Sequence, residues 1–370
     1  MSNSNPMVDA YAAGQSLWLD YIQRSLLNGD LQALIKNDQV MGLTSNPAIF
    51  EQAIVKTEEY DNSIEAISRN ENIDNLEVFN QLAIEDIQGA ADAFAQTYKQ
   101  TKGVDGYVSL EVTPDLAHDT NGTIAMGLDL NQRVNRPNLM IKVPGTSAGV
   151  EAFEELTTKG VNVNVTLLFS VQRYLEIAKA YISGLERRHA AGHPINNISS
   201  VASFFVSRVD TEVDKALDAI ASDTAKALKG KIAIANAKVA YGHFANLFGS
   251  EQFASLRSAG ALPQRLLWAS TGTKNPDYSD VMYVEELIGP DTVNTLPPKT
   301  MDAFRDHGVA EPRLSRSLDM AHKQLSELSQ LGVSLSGITN ELETAGIASF
   351  AQAFERLLQS IDAKRKRLAS

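Results

Sequence analysis

Eight polar residues sit in or beside runs that are otherwise apolar and β-branched, and one of them is a lysine, Lys142 in LMIKVPG. The others are Asp20 in SLWLDYI, Asn46 in GLTSNP, Glu111 in VSLEV, Asn164 and Thr166 in VNVNVTLLF, Ser203 in VASFFV and Arg208 just beyond it. A lysine flanked by Met140, Ile141, Val143 and Pro144 reaches water only at the end of its run. Lysine is rarely buried without a partner. Desolvation disfavours the ammonium, so a buried lysine offers more free amine at neutral pH. A free amine attacks a ketone to give an imine, and the protonated imine withdraws electrons until a neighbouring carbon–carbon bond breaks. That sequence needs proton carriers. Asp20 and Glu111 are the carboxylate candidates, and the Thr166 hydroxyl suits a water held between them. Asn46, Asn164 and Ser203 suit the hydroxyl groups of a sugar. No histidine lies in these runs, which weighs against a histidine-based triad. Neither a two-histidine cluster nor an acidic triplet has metal spacing, so no metal is expected and a metal-dependent aldolase is disfavoured.

Each residue also has a plainer reading. An Asp or Asn near a strand end is commonly a turn former or helix cap, and Asn46 before Pro47 fits that role. Glu111 and Thr166 read equally as solvent-facing edge residues. Arg208 has Asp210, Glu212 and Asp214 nearby as salt-bridge partners. Ser203 carries almost no signal alone. Eight isolated polar residues would be costly if buried unpaired. A single convergent, hydrogen-bonded site removes that cost.

The elements that must position these residues repeat along the chain as a short apolar run, a loop and a helical pattern. The runs are Gln15–Tyr21, Val40–Ser45, Gly106–Val112, Asn138–Pro144, Val161–Phe169, Ile198–Val206, Arg265–Ser270 and Thr292–Leu296. Between them, helical periodicity covers Leu76–Tyr98, Val150–Leu156, Val171–Leu185 and Pro298–Asp306. Glu212–Phe248 reads as two helices broken near Gly230. In the tail, Ile347, Phe350, Phe354, Leu357, Leu358 and Ile361 form an apolar stripe, and basic Lys364–Arg367 suits a helix C-terminus. Strands alternating with helices imply parallel β/α units. Eight of them point to a closed (β/α)8 TIM barrel in the α/β class, with an open doubly wound sheet as the alternative. There is no GxGxxG after a strand to support a dinucleotide fold. The expected organisation is one barrel domain over 1–370, with 310–370 as a C-terminal helical extension packed on it. Strand parity puts Asn164 with Thr166, and Ser203 with Phe205, on common faces. In barrel enzymes the reacting groups come from the C-terminal ends of several strands.

Composition bounds the function class. The net charge of −12 weighs against nucleic acid as a partner but not against an anionic substrate in a local basic pocket. With no cysteine, thiolate catalysis and disulfides are out. The start, MSNSNPMVDA, lacks a signal-peptide pattern, and no run approaches the ~20 apolar residues of a membrane helix. The expectation is a cytoplasmic enzyme without membrane contact.

Four blocks then match one family in order. GLTSNPAIF (42–50) resembles the transaldolase signature, and NLMIKVPGT (138–146) resembles the segment holding that family's Schiff-base lysine. NVTLLFSVQRY (164–174) and SFFVSR (203–208) look like the next two blocks, and the likeness runs from Leu17 to about Lys299. It implies a (β/α)8 barrel and transfer of a dihydroxyacetone unit from sedoheptulose 7-phosphate to glyceraldehyde 3-phosphate. The products would be erythrose 4-phosphate and fructose 6-phosphate, in the non-oxidative pentose phosphate pathway. By the same resemblance Lys142 is the imine lysine and Asp20 the proton shuttle at the C4 hydroxyl. Glu111 and Thr166 position the catalytic water. Asn46, Asn164 and Ser203 hold the dihydroxyacetone hydroxyls, Phe205 lines that pocket, and Arg208 binds phosphate. No cofactor is implied, and family members are monomers or homodimers. One block departs. Where many relatives carry a second phosphate arginine, this chain reads WASTGTKNP (268–276). Ser270 and Lys274 are the expected replacements, since loops after strands seven and eight are common phosphate sites in barrels. The length and tail resemble the larger bacterial and cyanobacterial subgroup. Three rivals stand beside this reading: a lysine aldolase releasing free dihydroxyacetone, a sugar-phosphate-binding barrel without catalysis, and a metal-dependent isomerase.

Overall fold

The structure, a computed structural model, describes residues 5–70, 72–220 and 222–369. The polar residues 1–4 read above, and position 370 of the expected domain, lie outside the described residues. Eight strands close on themselves in chain order, each parallel to its neighbours. They are β1 (Gln15–Asp20), β2 (Val40–Thr44), β3 (Tyr107–Glu111), β4 (Leu139–Pro144), β5 (Val163–Leu168), β6 (Ser200–Phe205), β7 (Arg265–Ala269) and β8 (Thr292–Leu296). Pairing of β1 with β8 completes the ring. This is the (β/α)8 TIM barrel, and all eight expected runs contain a strand.

Helices follow the strands because the chain supplies caps at the strand ends. Asn46 after β2, Thr146 after β4 and Ser170 after β5 each accept a hydrogen bond from the amide of the residue three on. Such a side-chain acceptor satisfies an amide that the first helical turn leaves orphaned. Inside the barrel Trp18 fills the volume opposite Gly42. A Cβ on residue 42 would stand 2.6 Å from the indole, so only glycine lets β2 pass.

The helix pattern over Glu212–Phe248 needs correction. Three helices occupy that region: Ser207–Ile220, Asp223–Leu228 and Ile232–Phe248. Ser222 caps a separate short helix, and Gly230, at a φ of 69°, turns the chain before the next. The helix Thr120–Val134 has no counterpart in the periodicity reading. Two of its residues, Gly122 and Gly127, dilute the apolar signal. Yet Gly127 is what lets it pack against Leu156, whose methyl carbon would lie 3.1 Å from an added Cβ.

The tail forms one long helix, Leu335–Leu368, opened by Ser334 as its cap. Leu357 and Ile361 are fully buried, and Phe354 meets Phe79 edge-on at 5.4 Å. The basic end lies in the last turn, as read, and also makes side-chain anchors. Lys364 reaches Asp61 at 2.6 Å and Arg365 donates to Asn75 at 2.7 Å. None of the described helices is long and apolar enough to cross a membrane.

Candidate active site

Register decides which polar side chains meet. Glu111 on β3 pairs with Lys142 on β4, which pairs with Asn164 on β5. Partners across a parallel pair share a face, so the three stand side by side inside the barrel. Asp20 on β1 pairs with Thr44 on β2, and Thr44 with Ser109 on β3. The inward polar residues thus form a belt around the C-terminal half of the barrel.

The Lys142 amine donates to the carbonyl of Ser45 at 3.2 Å and lies 3.8 Å from Glu111 Oε2. Both side chains expose only 7% of their surface. Asp20 accepts from Thr44 Oγ1 at 2.7 Å, and Thr44 shares a 2.8 Å bond with Thr295 Oγ1. Burial raises the proton affinity of Asp20, opposed by the Lys142 charge and the Thr44 hydrogen bond. Glu111 is pushed up to about 7 by burial, with Lys142 opposing and the Asp20 charge adding. The pair therefore provides one carboxyl that is close to half-protonated at neutral pH. Glu111 Oε2 and Thr166 Oγ1 are both buried with no hydrogen-bond partner from the protein.

A cavity of about 420 Å3 opens over this belt. Its wall includes Asp20, Asn46, Lys142, Thr166, Ser203 and Phe205. Farther along are Arg208, Ser270 and Lys274. Two expected residues stand behind the wall instead: Glu111, reached past Lys142, and Asn164, which is fully buried. Asn164 donates to Ser109 Oγ at 3.1 Å and accepts from Ser203 Oγ at 2.7 Å. It thereby fixes the hydroxyl that does face the cavity. Asn46 is both a cap and a wall residue. Its Oδ1 serves the Ile49 amide at 3.0 Å, which leaves its NH2 as the group to offer a ligand.

The salt-bridge alternative for Arg208 does not form. Asp210 is taken by the Ala233 amide and the Tyr283 hydroxyl, Asp214 by the Gly230 amide and the Tyr278 hydroxyl, and Glu212 by Lys215. Arg208 lies over the Phe205 ring at 5.3 Å, and burial lowers its proton affinity. Ser270 takes a left-handed φ of 57° and shares a 3.0 Å bond with Ser207 Oγ. That strained turn directs the loop carrying Lys274 across the barrel mouth.

Sequence reasoning missed Thr44, Thr295, Lys299 and Phe350 on the cavity wall. Lys299 stands three residues beyond the last strand, after Pro297 and Pro298, in a region where phosphate groups often bind, so a signal was present. Among the described residues, Arg208, Lys274 and Lys299 have no salt-bridge partner, in a chain of net charge −12. Three unpaired cations facing one cavity concentrate positive potential there and favour an anionic ligand.

A family model described as transaldolase/fructose-6-phosphate aldolase matches residues 17–361. The chain is 43% identical to a transaldolase of Trichodesmium erythraeum, covering 99% of each protein. It is 46% identical to a transaldolase of Thiobacillus denitrificans, covering 95% of this chain and 98% of the relative. A transaldolase of Mycolicibacterium smegmatis is 44% identical over 98% of this chain and 99% of its own length. The lysine-centred barrel mouth and these full-length likenesses agree: the chain belongs to the transaldolase/fructose-6-phosphate aldolase family.

Proposed function

We propose that the protein is a transferase, a transaldolase of the non-oxidative pentose phosphate pathway working in the cytoplasm. It moves a dihydroxyacetone unit from sedoheptulose 7-phosphate to glyceraldehyde 3-phosphate, giving erythrose 4-phosphate and fructose 6-phosphate. It acts as one barrel unit over 1–370, as a monomer or homodimer, with 310–370 as the extension. The observation that carries this reading is the Lys142 amine 3.8 Å from a carboxyl that titrates near 7, in a cavity that also presents unpaired cations.

Lys142 attacks the ketone carbon of the donor. Glu111, by way of a water held at Thr166, returns the proton that lets the carbinolamine lose water. Both groups have a buried oxygen without a protein partner, which such a water would satisfy. Asp20 then takes the proton from the C4 hydroxyl. The C3–C4 bond breaks with its electron pair on C3, where the imine stabilises it as an enamine. A new aldehyde replaces the departing one, and Asp20 returns the proton as the new bond forms; the water held at Thr166 then adds to the new imine, and the carbon–nitrogen bond breaks to release the product and the Lys142 amine. Ser203, set by Asn164, and Asn46 hold the hydroxyl groups of the fragment beside Phe205. Arg208 pairs with the phosphate as a fork. Ser270, Lys274 and Lys299 complete that end, the lysines as point charges. The cavity's 420 Å3 suits a seven-carbon sugar phosphate.

Borohydride reduction in the presence of fructose 6-phosphate, followed by peptide mass mapping, tests the reading. A stable three-carbon adduct on Lys142 is expected. An adduct on another residue, or none alongside measurable transfer, overturns it.

A further inference from the structure

We infer that Phe350, carried on the tail helix, keeps the lysine-bound three-carbon fragment for transfer rather than loss to water; the inference rests on the transaldolase reading above. Gly346, Phe350 and Phe354 follow one another at four-residue spacing, so they share one face of the helix. Gly346 lies against the β5 rim. A Cβ there would stand 3.0 Å from Leu167 and 3.7 Å from the Phe169 ring. Phe354 lies on another rim, meeting Phe79 at 5.4 Å, with Phe79 on Phe50 at 5.5 Å. Phe50 belongs to the helix that follows β2. The tail helix therefore crosses the barrel mouth from β5 toward β2. Phe350, midway between its two footholds, lines the cavity that holds Lys142, Asp20 and Thr166.

The crossing helix is anchored at both ends of the span. Glu343 lies 3.7 Å from Arg173 near one end of the span, and Arg356 donates to Glu51 at 3.0 Å near the other. Beyond them Leu357 and Ile361 are fully buried. Close approach at Gly346 and the anchor at Phe354 place the ring of Phe350 at the cavity wall.

The chemistry gives this ring a consequence. After the C3–C4 bond breaks, the enamine on Lys142 has two fates. Its carbon attacks an aldehyde, whose oxygen takes up a proton, and the fragment is transferred. Alternatively its carbon takes a proton, water adds to the resulting imine, and the carbon–nitrogen bond breaks. That route releases free dihydroxyacetone and the amine. An apolar roof slows the second route by keeping bulk water, and the proton it would deliver, away from the enamine carbon, so that the water held at Thr166 is left for forming and hydrolysing the imine. The family to which the chain belongs is described by both a transferase and an aldolase, and the place of Phe350 on the cavity wall assigns it to the partition between these two fates.

The test measures, with fructose 6-phosphate as donor, free dihydroxyacetone released against fragment transferred to erythrose 4-phosphate. Phe350→Leu keeps most of the side-chain volume, and Phe350→Ala removes it. The release-to-transfer ratio is expected to rise in the order wild type, Leu, Ala, by about tenfold in the last. In deuterium oxide the released dihydroxyacetone should carry deuterium on the carbon freed by cleavage. Equal loss of both rates with an unchanged ratio in the Leu variant would reduce Phe350 to a structural role and overturn the inference. Failure of the underlying reading looks different: the wild-type protein then forms no Lys142 adduct under borohydride.

Discussion

The two ends of the barrel each bury ions, and they treat them in opposite ways. At the N-terminal end Arg265 of β7 contacts Asp105 at 2.9 Å, Ser16 Oγ at 3.0 Å and the Val104 carbonyl at 2.7 Å. Asp105 also accepts from Ser16 at 2.7 Å and from the Trp18 indole at 3.0 Å. Both charges there have several short partners. At the C-terminal end Lys142 stands 3.8 Å from Glu111, and Glu111 Oε2 and Thr166 Oγ1 have no hydrogen-bond partner from the protein. A buried pair with its hydrogen bonds filled holds the barrel floor together. A buried pair held apart, with hydrogen-bonding capacity left over, is poised for a ligand. Burial of charge alone therefore does not distinguish structure from chemistry; satisfaction of its partners does.

The sharpest way to break this contrast is to remove one cation from each end. Lys142→Met should lower transfer by roughly 10^4-fold or more, as loss of a covalent nucleophile does, while thermal unfolding stays near or above that of the wild type. Arg265→Met should do the reverse. It strands Asp105 and should cost about 3–5 kcal/mol of stability, with kcat nearly unchanged in the protein that remains folded. Denaturant unfolding and steady-state assays on both variants decide the matter. A catalytic collapse without destabilisation in Arg265→Met would erase the distinction.

Glu111→Gln sharpens it within the upper end. Loss of proton transfer should reduce kcat by about 10^2–10^4-fold. Stability should move in the other direction, with a sign set by titration. Glu111 titrates near 7 when folded against an ordinary 4.5, so the folded state binds its proton more tightly than the unfolded chain. Its contribution to stability is then lost as pH rises from about 4.5 to about 7, by roughly 3 kcal/mol at most. Melting curves across that window should show the Gln variant gaining on the wild type as pH increases. A constant difference would mean that Glu111 is not held against its charge.

The smallest effect is expected at the cationic side of the cavity. Lys274→Ala should raise KM for phosphorylated substrates about tenfold, the weight of one charge-assisted contact, with kcat little changed. Lys299→Ala should act in the same sense. Unchanged Michaelis constants in the Lys274 variant would remove that residue from the phosphate site and leave Arg208 and Lys299 to hold it.

Much of this molecule was legible from local pattern. Eight apolar runs contain the eight strands, because strand and helix periods are written in neighbouring residues. The same patterns failed where a glycine has a packing purpose, as at Gly127 in the unrecognised Thr120–Val134 helix. They failed also where a cap inserts an extra element, as at Ser222. Lys142 stood out because an ion among Met140, Ile141, Val143 and Pro144 is conspicuous in any fold. Arg265 did not, because a residue at the start of a run reads as a strand boundary.

The amino-acid sequence by itself determined the kinds of groups available and their order along the barrel: a lysine, two carboxylates and an arginine, each in the C-terminal half of its strand or just beyond it. Only the tertiary structure decided which of them touch. Register across β3, β4 and β5 set Glu111 beside Lys142 and placed Asn164 behind Ser203 rather than on the cavity wall. Chain closure brought Lys299 to the same cavity as Arg208, and the tail helix carried Phe350 across the mouth from more than 200 residues beyond Lys142 in sequence. The physical reason is one of range. Side-chain direction follows from the backbone two to four residues away, whereas ion pairing and exclusion of water depend on elements that meet only when the whole barrel has closed.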